Sequence, residues 1–224
     1  MPIEQNENGI WLRSKDGPLL TIQKRILGID PGYARLGWGI IDVINDEPRL
    51  VEYGCFETPK DEEFPQRLAM IYGHLEILIN QHEPDDIVIE ELFFGKNTRT
   101  AMNVAHARGV IMLCAVSHTG KIFKYRPNQV KTATTGDIKA KKPDIQEAVR
   151  IILNLESIPK SDDAADALAI ALTHARLSQA QVLAVESDDG SGLACEDASG
   201  NSLAITIDEF VGSEVCTDDK WSLA

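Results

Sequence analysis

Arg25-Ile26-Leu27-Gly28-Ile29-Asp30, followed at once by Pro31-Gly32-Tyr33-Ala34-Arg35-Leu36-Gly37, is an apolar run that ends on a carboxylate and turns directly into a second apolar run. Short runs rich in β-branched residues and bounded by Pro, Gly or charge predict buried strands. By the same rule residues 36–43 and 49–58 form two more strands, and short connections between three sequential strands predict an antiparallel meander. A helical period follows: Leu68, Ile71, Tyr72, Leu75, Leu78 and Ile79 recur at three- and four-residue spacing across residues 64–81. Pro84-Asp85-Asp86 ends it, and Ile87-Val88-Ile89-Glu90 begins a fourth strand. A helix between two strands of one sheet makes their pairing parallel.

Further along, residues 98–117 read as a helix rich in small residues and 121–125 as a fifth strand. Residues 127–134 read as a short helix, 136–142 as a basic loop, and 143–155 and 162–178 as two more helices, the last with Ser161 as its N-cap. The fold class is therefore α/β, a mixed five-stranded sheet flanked by helices. Residues 1–24 read as a loose leader, 25–180 as one folded domain, and 181–224 as an acidic tail expected to be disordered.

Composition sets the outer limits. A chain of 224 residues with 43% hydrophobic content can bury one substantial core. No apolar run approaches the roughly 20 residues needed to span a bilayer, and Met1-Pro2-Ile3-Glu4-Gln5-Asn6 lacks the order of a secretory signal. Cys55, Cys114, Cys195 and Cys216 are dispersed, so neither a zinc site nor a disulfide framework is indicated, and a reduced cytoplasmic protein is expected. The net charge is −13, but it is unevenly spread: residues 181–224 carry ten acids against Lys220, a net −9. Residues 95–142 carry ten basic side chains, among them Lys96, Arg99, Arg108, Lys131 and Lys142, against Asp137. A stretch at +9 inside an acidic protein is a candidate phosphate-binding surface. The tail, in turn, is expected to compete with nucleic acid for that surface.

Four acids carry the chemistry. Asp30 and Glu90 end strands, while Asp163 and Asp166 stand three apart at the start of a helix and so share a face. Helix N-termini attract acids through the macrodipole, which accounts for Asp162. Asp166, set in Ala164-Ala165-Asp166-Ala167-Leu168-Ala169-Ile170, needs a partner. Buried carboxylates repel one another unless a cation shares them, and ligation by oxygen alone suits Mg²⁺ or Mn²⁺. A metal-dependent phosphoryl-transfer site follows. Glu90 and Glu91 point to opposite faces of their strand, so only one of them joins Asp30, and Glu91 is expected to face outward or support a neighbour.

The ordered set Ile26-Leu27-Gly28-Ile29-Asp30-Pro31-Gly32, Ile89-Glu90 with Phe93 and Lys96-Asn97, Ala107-Arg108-Gly109, and Asp163-Ala164-Ala165-Asp166-Ala167-Leu168-Ala169-Ile170-Ala171 with Thr173-His174 resembles the RuvC family of Holliday-junction resolvases. The resemblance covers residues 25–177. It implies an RNase H-like fold, Asp30, Glu90, Asp163 and Asp166 as catalytic metal ligands, and two Mg²⁺ ions that Mn²⁺ can replace. It also implies a homodimer that nicks opposing strands of a four-way junction in recombination and repair, alongside the RuvA and RuvB branch-migration proteins. By the same likeness Phe93 stacks near the junction centre, and Lys131 and Lys142 approach DNA. The chain departs from the family pattern at Val104-Ala105-His106, at Asp137-Ile138 in place of a second loop glycine, and at Lys142-Pro143-Asp144-Ile145. The acidic tail has no counterpart in that pattern. A kinase-like ATPase would reuse the Asp30 turn but needs a second domain, and a junction- or RNA-binding member without catalysis would lack the four acids. The nearest rival is an RNase H-like nuclease acting on RNA.

Overall fold

The computed structural model describes residues 4–6, 9–12, 20–91, 98–119, 122–186, 195–196 and 202–203, with side chains described for 22–91, 101–118 and 122–178. Residues 1–181 and 182–224 are separate units. Within the second, β8 (Cys195–Glu196) pairs antiparallel with β9 (Ser202–Leu203).

In the first unit β3 (Leu20–Asp30), β4 (Arg35–Ile44) and β5 (Glu47–Glu57) form the antiparallel meander, and β3 also pairs in parallel with β6 (Asp86–Glu90). β6 pairs in parallel with β7 (Ile122–Tyr125), giving the order β7-β6-β3-β4-β5. Two short strands inside the expected leader, β1 (Glu4–Asn6) and β2 (Gly9–Leu12), extend the sheet to seven. β2 pairs with Leu20 and Thr21, so β3 begins five residues before the apolar run. Backbone pairing extends a strand beyond the point where its own side chains announce it.

Alternation assigns each strand residue a face. Leu27, Ile29, Leu36, Trp38, Ile40, Ile87 and Ile89 bury one face against Ile71, Leu75 and Ile79 of α1 (Phe64–His82) and Ile111 and Cys114 of α2 (Thr98–Thr119). Ile26, Ile41, Val43 and Val88 bury the other. Their partners are Val130 of α3 (Pro127–Thr135), Ile145 and Val149 of α4 (Lys142–Ile152), and Leu168 and Leu172 of α5 (Asp162–Glu186). Gly136 caps α3 at a positive φ of 80°, where glycine carries no steric penalty. Directly after it, the Asp137 carboxylate accepts the Lys139 N–H at 2.8 Å, closing the loop in which a second glycine was expected. No helix among the described residues is long and apolar enough to cross a membrane.

Candidate active site

The parallel pairing of β3 with β6 brings two acids to one rim. Ile29 lies in register with Ile89, so Asp30 and Glu90 end their strands side by side. Ile26 and Val88 face α5, and two-residue alternation turns Asp30 and Glu90 to that same face. Glu91 points elsewhere: its carboxylate lies 3.2 Å from Arg126 Nε.

Glycines set how closely α5 approaches. Gly37 is paired with Asp30 across the meander, and a Cβ at Gly37 would fall 2.0 Å from the Asp163 carbonyl oxygen. A Cβ at Gly28 would fall 2.2 Å from the Ala167 carbonyl oxygen, and one at Gly39 would meet Leu168. The helix backbone therefore rests on the sheet where side chains are missing, which delivers Asp163 to the Asp30 rim. Ser161 caps the helix, its Oγ accepting the Ala164 N–H at 3.4 Å and its carbonyl the Ala165 N–H at 3.1 Å. One turn places Asp163 and Asp166 on a common face.

Electrostatically, Asp30 is the hub. Its pKa is pushed from 3.8 up to about 7, first by burial and then by the charges of Asp166, Glu90 and Asp163. Glu90 is raised by burial and by Asp166; Asp166 is raised by burial, against the pull of Lys142. Cations of the chain hold two of the acids: Arg35 Nε lies 3.1 Å from Asp163 Oδ2, and Lys142 Nζ lies 2.9 Å from Asp166 Oδ2 and 3.6 Å from Asp162 Oδ2. Among the described residues no three acidic, histidine or cysteine side chains are already drawn together as a ligand set. The helix acids are instead turned to Arg35 and Lys142. The donor chemistry still suits a hard divalent cation: every donor is a carboxylate oxygen, and the central one resists ionisation first because it is buried and then because its neighbours are acids.

Beside Glu90 and Asp166 opens a cavity of about 220 Å³, lined also by Val130, Ile145, Lys131 and Lys142. Lys131 and Lys142, both expected at DNA, thus border the acids. Arg108 is half-buried near the charges of Glu90 and Glu91, with Nε and Nη2 lacking a hydrogen-bond partner among the described residues. Arg99 lies in the first turn of α2. Phe93 and Lys96 lie outside the described residues. At the altered family segment, the His106 ring packs edge-on against Phe64 at 5.8 Å. Sequence reasoning passed over Arg35 and Gly37, as well as Cys55, whose Sγ lies 3.9 Å from Asp163 Oδ2. A signal existed for Arg35: it is a cation standing directly after the Asp30 turn, at the rim where β4 starts.

A parallel β3–β6–β7 array joined to a β3–β4–β5 meander, with acids at two strand ends and on the helix laid across them, defines an RNase H-like nuclease fold. The chain belongs to the RuvC family: the family model for Crossover junction endodeoxyribonuclease RuvC matches residues 26–174. The chain is 48% identical over 158 residues to the enzyme of that name from Alkaliphilus metalliredigens, covering 70% of this chain and 96% of that protein. It is 48% identical over 150 residues to the one from Alkaliphilus oremlandii, covering 67% and 92%. A structure of Thermus thermophilus RuvC in complex with a Holliday junction substrate superposes with a TM-score of 0.67 at 32% identity, covering 70% of this chain and 96% of that one.

Proposed function

We propose that this protein resolves four-way DNA junctions by paired hydrolytic nicks, using Asp30, Glu90, Asp163 and Asp166 to hold divalent cations at the scissile phosphodiester. The observation that carries this is geometric: Asp30 and Glu90 end adjacent strands in register, and the start of α5 rests on Gly37 beside Asp30, bringing Asp163 to the same rim. Two Mg²⁺ ions, replaceable by Mn²⁺, would activate water and stabilise the leaving 3′-oxygen. The residues of the chain do the rest. Asp30 and Glu90, fixed by parallel register, present oxygens from rigid strand ends, and Asp163 and Asp166 present theirs from the capped start of α5. Lys131 and Lys142 border the cavity beside the acids and give a phosphate two cationic contacts. Lys96, Arg99 and Arg108 belong to the same +9 stretch and extend the contact along DNA, with Phe93 stacking at the junction centre.

A junction with two-fold symmetry calls for a two-fold enzyme. Support for a homodimer comes from α2, where Met102, Leu113 and Val116 lie on one stripe and are 60%, 60% and 48% exposed. Gly109 lies on that stripe too, with open space where a Cβ would stand. Free thiols at Cys55 and Cys114 suit a reducing cytoplasm, and the family relation suggests RuvA and RuvB as partners.

The test compares nicking of a synthetic four-way junction with nicking of linear duplex, in Mg²⁺ and in EDTA, for wild type and Asp30→Asn. Junction-selective, Mg²⁺-dependent nicking that the substitution removes is expected. Equal cleavage of duplex and junction, or full activity in the variant, would refute the reading.

A further inference from the structure

The ion pair between Arg35 and Asp163 sits where a metal ligand is proposed, so the following rests on the reading above. We infer that Arg35 is a positioning residue that changes partners. In the metal-free protein it neutralises Asp163; when Asp163 turns to a divalent cation, the guanidinium is released to a DNA phosphate beside the nick.

Four observations carry this. Arg35 Nε and Asp163 Oδ2 are 3.1 Å apart, and the Arg35 side chain is 56% exposed against 19% for Asp163. The cation thus lies on the solvent side of the acid, where a nucleic-acid strand would arrive. Secondly, a pair whose cation is more than half in solvent is weaker than a fully buried one and yields to a competitor that several oxygens can bind together. Thirdly, Arg35 cannot drift from the rim when its pair opens. It starts β4 at the end of the Asp30 turn, and a Cβ at Gly32 would stand 2.1 Å from the Arg35 carbonyl oxygen, so the turn holds this backbone tightly. Lastly, the acids near Asp30 form a cluster in which each neutralising cation counts. Arg35 serves Asp163 as Lys142 serves Asp166.

Arginine suits the second role better than lysine. Its planar fork can meet two phosphate oxygens at once, and it stays charged throughout. A competing destination exists within the protein: Glu57 is the cross-strand partner of Arg35 in the β4–β5 pairing, on the same face. Capture by Glu57 would remove the DNA contact and is separable by experiment.

The partner exchange couples metal binding to DNA binding through one side chain. Two measurements on the full chain expose that coupling. Calorimetric titration with Mn²⁺ in the absence of DNA reads competition for Asp163. Junction affinity in Ca²⁺ and in EDTA, across a salt series, reads release onto phosphate. For Arg35→Gln, the expected results are Mn²⁺ binding tighter by several-fold and junction affinity in Ca²⁺ weaker by several-fold. The slope of log affinity against log salt should fall by about one in Ca²⁺, with affinity in EDTA nearly unchanged. Arg35→Lys, which keeps the charge and loses the fork, should hold Mn²⁺ affinity near wild type and recover only part of the Ca²⁺-dependent junction affinity.

Three results would overturn the inference. Weaker Mn²⁺ binding in Arg35→Gln would make Arg35 a fixed support for Asp163. Equal loss of junction affinity in Ca²⁺ and EDTA would make it an ordinary phosphate contact. Unchanged junction affinity in both would place the released side chain on Glu57. The underlying site is checked separately: wild-type Mn²⁺ binding that Asp30→Asn leaves intact would remove the proposed metal centre and this inference with it.

Discussion

Asp30→Asn is expected to stabilise the metal-free protein while it abolishes nicking, a combination that an ordinary buried hydrogen-bonded aspartate would not give. In the fold, Asp30 titrates at about 7 instead of 3.8, so its ionised form is disfavoured by about three pK units. At about 1.36 kcal/mol per unit this comes to roughly 4 kcal/mol. Asp30 keeps some contact with water, which brings the expected effect to about 2–4 kcal/mol. The sign follows from proton counting. Between about pH 4 and 7 the folded state holds a proton on Asp30 that the unfolded chain has lost, so wild-type stability falls as pH rises through that window and levels off above it. The Asn variant lacks this loss. Thermal unfolding in EDTA should therefore give a Tm gap in favour of Asp30→Asn that is small near pH 4 and on the order of 10 °C at pH 8, given about 2–4 °C per kcal/mol for a chain of this size. Saturating Mg²⁺ should raise the wild-type Tm and leave the variant nearly unmoved. A variant no more stable than wild type at pH 8, or a gap independent of pH, would refute the reasoning.

The other predictions concern how the site is assembled. Gly37→Ala places a methyl group 2.0 Å from the Asp163 carbonyl oxygen, so the start of α5 must shift. A stability loss of about 1–3 kcal/mol by chemical denaturation is expected, with nicking falling by a larger factor than that loss explains; full nicking activity would show that Asp163 is not held by this contact. Glu90→Gln should remove nicking, whereas Glu91→Gln opens the rim pair with Arg126, withdraws one of the two charges near Arg108 and should leave nicking largely intact; reversed phenotypes in the nicking assay would exchange the two assignments. Removing residues 181–224 takes away a net charge of −9 and should tighten junction binding at low salt, the gain fading as salt rises. Unchanged affinity at low salt would discard an electrostatic role for the tail.

Much of this architecture was legible in order of sequence. Strand ends at Asp30 and Glu90, the meander, the parallel crossover through α1 and the helix at Asp163 all follow from periods of two and of three to four residues, because those periods record which side each residue buries. The N-terminal extension of the sheet was not legible. β1, β2 and the first residues of β3 are held by backbone pairing, which leaves little mark on side-chain pattern.

By itself, then, the sequence pointed to four acids as candidate ligands, to the elements that carry them and to the family the chain resembles. Each of those is written in neighbours along the chain. Tertiary structure alone decided that Gly37 sets the approach of Asp163, and that Arg35 and Lys142 hold the helix acids while Asp30 is left resisting charge. Those facts depend on how deeply α5 settles onto the sheet. That depth comes from the close contact of distant backbones at Gly28, Gly37 and Gly39, and no local period encodes it.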